Sequence, residues 1–143
     1  MAQKLQKMEP QLRARAPESE KITINLGFVD LGHIDLLVEE SFYSNRTDFI
    51  RTAIRNQLDR HNDAVKHSVE RRRLELGLRA YSRRDLEAML DAGETLHIQV
   101  LGLAIIDSDV SPELARATIA SIEVLGTLQA SPAVKSALRD RIH

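Results

Sequence analysis

Apolar and polar residues alternate from Lys21 to Leu26. Ile22, Ile24 and Leu26 fall on one side and Lys21, Thr23 and Asn25 on the other, the period of a half-buried strand. Two helical patterns follow. Leu31, Ile34, Leu37 and Val38 recur at helical spacing behind Asp30, the expected N-cap of a helix running to about Glu40. Phe28 is expected in the core. After Phe42-Tyr43-Ser44 a second helix carries Phe49, Ile50, Ala53, Ile54 and Leu58 on its apolar face, with Asn45 as N-cap and Asp48 three residues on, in capping-box spacing. One strand and two short helices bury too little to fold alone, and a lone strand leaves its backbone unpaired. The simplest partner is the same strand of a second copy, related by a two-fold axis. The resulting antiparallel ribbon would repeat Lys21, Thr23 and Asn25 on its outer face, and such a ribbon fits the major groove of B-DNA.

Beyond Arg60 the pattern stays helical to about Leu74 but is very polar, with Arg71, Arg72 and Arg73 as its densest basic cluster. This stretch, residues 61–84, is expected to be a helical basic linker. The tail then repeats itself. Leu-Gly pairs stand at 76–77, 101–102 and 125–126, and helix starts capped by serine follow at Ser82, Ser111 and Ser131, the last two with proline next. Each unit reads strand, turn, short helix, and units of this period stack on one another as in solenoids. The second and third copies are clear, whereas the strand of the first is too basic to rank with them. Leu96 to Ile106 is almost wholly apolar and must be buried.

Charge divides the same way. The net charge of −1 hides 16 Lys or Arg against 12 Asp or Glu over residues 1–84, and 4 against 9 over residues 85–143. The basic portion holds the ribbon, and residues 1–19, polar with prolines at 10 and 17, are expected to be a flexible basic arm able to lie along phosphates. Composition adds exclusions. At 43% apolar and 29% charged the profile is globular, and with no cysteine there are no disulfides or thiolate metal sites. No apolar run reaches the roughly 20 residues of a membrane span, so a cytoplasmic location is expected. No serine, histidine or acid stands at a nucleophile-elbow, metal or phosphate-loop spacing, so neither catalysis, nor a metal, nor a cofactor is expected. His61 and His67 do not share a helix face, His97 reads as a strand-edge residue, and Asp107 and Asp109 read as turn formers.

The strand KITINL, the apolar helix HIDLLVEE and the turn plus helix SFYSNRTDFIRTAIRNQL together resemble the ribbon-helix-helix superfamily, in its CopG/Arc/MetJ-like branch. The likeness covers Lys21 to Arg60; Ser41 departs from it, standing where relatives often carry glycine. It implies a homodimeric DNA-binding regulator, a repressor by occupancy, in which Lys21, Thr23 and Asn25 read bases and Ser44, Asn45, Arg46 and Thr47 hold a phosphate at the helix start. The expected fold is α+β, with a ribbon-helix-helix dimerisation and DNA-binding domain over residues 20–60 and a C-terminal β/α repeat over residues 85–143. That repeat would assemble dimers into larger forms or sense a ligand. Two alternatives accompany this reading: an antitoxin-like autoregulator whose tail holds a toxin, and a self-assembling structural protein built on the repeat.

Overall fold

The computed structural model describes residues 19–143. The basic arm lies outside the described residues except for Ser19. The chain divides into two compact units, Met1–Asp63 and Ala64–His143.

In the first unit, α1 (Phe28–Glu39) and α2 (Arg46–Arg60) pack on each other. The N-cap of α1 is Gly27, three residues before the expected Asp30; its backbone is extended and it supplies no side-chain cap. It ends in a Schellman turn: Ser41 N–H donates to the Val38 carbonyl and Phe42 N–H to the Leu37 carbonyl, each at 3.0 Å. Ser41 has φ +65°, the left-handed conformation that glycine occupies without a Cβ penalty. The departure from glycine therefore falls on the one residue of this turn where glycine is favoured.

In the single chain the segment Lys21–Leu26, expected as a strand paired with that of a second copy, is not part of a sheet. Residues 19–27 have no ladder, and all are exposed. A single chain offers this segment no neighbouring strand among the described residues. The apolar side is bare for the same reason: Ile22 is 75% exposed, and Phe28, expected in the core, is 93% exposed. Among the described residues of this unit, Ile34 is the sole buried hydrophobic side chain.

The second unit solves the pairing problem within itself. Helix α3 (Asn62–Arg72) crosses the boundary and ends in another Schellman turn, with Arg73 at φ +54°. Then come β1 (Glu75–Tyr81), α4 (Arg83–Asp91), β2 (Leu96–Ile106), α5 (Pro112–Thr118), β3 (Ile119–Gln129), α6 (Pro132–Ala137) and a short 3-10 turn, Arg139–Arg141. The three strands form one parallel sheet in the order β1-β2-β3, each crossover being a helix, as parallel pairing requires. Residues 75–81, expected within a helical linker, are thus a strand. The basic side chain that argued against this, Arg79, stays half exposed and pairs with Glu75 four residues back, so no charge is buried.

Ser82, Ser111 and Ser131 each cap the following helix by accepting the backbone N–H three residues on, and Ser82 forms a full capping box with Asp85. Helices α4, α5 and α6 lie in a row. Leu86, Ala115, Val134 and Leu138 meet Ile98, Val100, Ala104, Ile106, Ile119 and Ile122 of the strands in one core. The Leu-Gly pairs align across the sheet, Gly77 beside Gly102 beside Gly126, all with positive φ. A Cβ on Gly102 would collide with the Gly77 carbonyl oxygen, and one on Gly126 with that of Gly102. The close backbone approach, rather than a turn, is what these two positions demand of glycine.

Two outcomes follow for stability. Gly102→Ala should cost at least about 2 kcal/mol, read as a lower urea midpoint, because backbone cannot move aside cheaply. Ser41→Gly should raise stability by roughly 1 kcal/mol, read in the thermal midpoint, by removing the left-handed strain.

Candidate nucleic-acid interface

Helix α2 is set by its first turn. The Asn45 Oδ1 accepts the Asp48 N–H at 2.8 Å, and Asp48 Oδ2 accepts the Ser44 N–H at 2.9 Å, so the return bond goes one residue further back than in a standard capping box. Tyr43 packs edge-on against Phe49, ring centres 5.0 Å apart and planes at 85°, which fixes how the chain enters the helix. The backbone N–H groups of Arg46 and Thr47 stand in the first turn, where a helix has no internal acceptor for them. They point, with the positive end of the helix dipole, toward solvent, a place suited to an anion.

The turn engages three of the four residues expected to hold phosphate, Asn45 through the cap already described. Ser44 gives its N–H to Asp48, and the Arg46 side chain is turned onto α1, where its Nε and Nη2 donate to the two carboxylate oxygens of Asp35 at 2.8 Å each. This fork pairs residues eleven apart across the turn. Side chains that are 56% exposed for Arg46 and 47% for Asp35 make it a device of orientation more than of stability. The Arg46 hydrogen bonds hold the Asp35 carboxyl below its usual range, and Asp35 in turn raises Arg46. Sequence spacing carried no sign of Asp35, since i and i+11 are neighbours only once the turn is built.

Lys21, Thr23 and Asn25 are all exposed, in the unpaired segment before α1. Across from the polar set, Ile24 and Leu26 line an open apolar groove of about 430 Å³ with Ile34, Leu37, Phe49, Ile50 and Ile54. His33, which the sequence assigns no role, lies on its wall.

The family model of the Ribbon-Helix-Helix transcriptional regulator family matches residues 17–135. The chain belongs to that family. No curated protein and no solved structure matches it. The match spans the unpaired segment, both helices of the first unit and the strand-helix repeats as far as α6. The family is one of transcriptional regulators, which bind DNA.

Several of the other arginines are engaged in ion pairs. Arg72 pairs with Glu123, Arg79 with Glu75 and Arg83 with Glu87, which suits a solvated, charge-balanced face more than a second strip of phosphate contacts. His97, expected at a strand edge, sits instead in the central strand, its Nδ1 2.7 Å from the Ser121 hydroxyl. Asp109 accepts the Arg83 N–H and Asp107 closes a turn through its carbonyl. Among the described residues no group of three histidines or acids is placed to hold a metal, and no helix is long and apolar enough to cross a membrane.

The Asp35–Arg46 fork has a pH signature. Because the folded carboxyl titrates below its unfolded value, the pair is intact above the ordinary carboxylate range and is lost as pH falls through the lowered value. Carboxyl 13C shifts should show Asp35 titrating below the ordinary carboxylate range, and returning to that range in Arg46→Ala.

Proposed function

We propose that the protein is a sequence-reading DNA-binding repressor that works as a homodimer or a higher assembly. The observation that carries this reading is the joint state of residues 21–26: no strand partner, an apolar side over an open groove, and a polar side of Lys21, Thr23 and Asn25, in a member of a ribbon-helix-helix regulator family. A second copy supplies the missing strand and closes the groove, burying Ile22, Ile24 and Phe28. The two strands then form an antiparallel ribbon whose polar face enters the major groove, where Asn25 suits adenine and Lys21 guanine.

Phosphate contact at the start of α2 sets the register on the duplex. Ser44, Asn45, Arg46 and Thr47 frame this point, with the free N–H groups of Arg46 and Thr47 as the donors best disposed. Arg46 reaches phosphate with its guanidinium only by leaving Asp35, so the fork tunes affinity: the carboxylate competes with the DNA backbone for the same cation. The C-terminal unit, with its own core, suits assembly of dimers on tandem half-sites more than an antitoxin tail that orders on a toxin.

Binding of the full chain to duplexes from upstream of its own gene, against a scrambled duplex at two salt concentrations, tests the reading. A preference that survives the higher salt is expected; weak binding, equal on both duplexes and lost with salt, would overturn it. Asn25→Ala should lower discrimination between the two duplexes by about tenfold or more, in line with about 1–3 kcal/mol for a base contact, while leaving the dimer intact. Asp35→Asn should tighten binding to both duplexes alike, and Arg46→Ala should weaken both and flatten the salt slope by about one phosphate contact.

A further inference from the structure

The sheet of the second unit ends in two edges that complement each other. Among the described residues no strand pairs with the outer side of β1. Among the described residues an isolated bridge joins Ile122, on the outer side of β3, to Ile142, with the His143 N–H on the Ile122 carbonyl. The register runs from Glu75 through Val100 to Val124 and from Ala80 through Ile105 to Gln129. The stretch of β3 equivalent to β1 therefore starts two residues past the bridge made by the chain's last residues.

The glycine ladder repeats this asymmetry. Gly102 and Gly126 each receive, where a Cβ would stand, the carbonyl of the glycine on the preceding strand. Gly77 has the same positive φ, +113°, and nothing lies within 4 Å of its Cβ position. Thus β1 presents outward the surface that β2 and β3 fill inside the chain. Leu76 and Leu78 flank it at 68% and 52% exposure, and Leu125, in the same column as Leu76 and Leu101, is 42% exposed.

We infer that the open edge of β1 takes the β3 edge of a second copy, parallel and head to tail, with Gly77 receiving Gly126. The chain makes this contact with itself twice, at steps of 25 and 24 residues, so the intermolecular step continues an interface already built, with α4 of one copy beside α6 of the next. An unprotected strand edge is a template for such pairing, and a heterologous contact of this kind adds copies without closing a two-fold pair. It gives the higher assembly proposed above its surface, and rests on that reading in taking the two-fold dimer as the unit that grows and the C-terminal unit as the assembling one.

The test uses the full chain with Leu76→Lys on one edge and Leu125→Lys on the other, both at exposed positions, with circular dichroism and melting to confirm folding and Leu78→Lys as a second β1 variant. By sedimentation across a concentration series, the unmodified chain should grow beyond the dimer, and each variant should stop there. An equimolar mixture of the β1 and β3 variants should grow again, because each supplies the edge the other lacks. Leu125→Lys growing on its own, or an unmodified chain of one fixed size at every concentration, would overturn the inference. Duplex binding measured on the same samples separates the two claims: growth without sequence preference sinks the regulator reading and leaves this one standing.

Discussion

A strand that cannot pair is the constraint on which the rest of the molecule turns. Residues 19–27 carry alternating side chains suited to a half-buried strand, yet in one chain they have neither a ladder nor a covered face. Leaving them so exposes several large apolar side chains at a cost of the order of 25 cal/mol per Å² of surface. Helices α1 and α2 bring only Ile34 into a buried position, so they cannot compensate. On the proposed reading a second copy would remove both faults at once and leave the polar face outward, so that dimerisation and the display of Lys21, Thr23 and Asn25 would be the same event.

The second unit answers the same constraint inside one chain. Three strands pair in parallel because each is followed by a serine-capped helix that returns the backbone to its starting side. The close approach at the Leu-Gly positions excludes any side chain at Gly102 and Gly126, which locks the register as firmly as the apolar core does. What the unit leaves open is a pair of edges rather than a face. One chain thus offers two kinds of incompleteness, a face in the first unit and an edge in the second, and each is suited to a further copy of itself.

Features local in sequence were legible before the fold was known. Asn45 and Asp48 announce the start of α2, Ser82, Ser111 and Ser131 announce three helices, and the Leu-Gly spacing announces the repeat. Where a residue's meaning depends on a neighbour distant in sequence, the reading failed. Arg46 looked like a free cation because nothing in the spacing pointed to Asp35. Arg79 made β1 look like linker because its ion pair with Glu75 keeps it in solvent. Phe28 looked like core from its size alone, yet no element of its own chain among the described residues covers it. Ser41 stands between the two cases, since glycine's usual place was visible while the left-handed turn that explains it was not.

The chain has no cysteine, so single cysteines introduced in turn at positions 21 to 26 of the full protein report on one contact each. In an antiparallel pair, residues facing each other lie about 4.5–5.5 Å apart between α-carbons. Oxidation should therefore yield cross-linked dimer most readily at the residue next to the two-fold axis, Thr23→Cys or a neighbour, with the yield falling toward both ends of the segment. Absence of cross-linking at all six positions, in variants that fold as the parent does, would contradict the ribbon and with it the account of how this protein meets DNA.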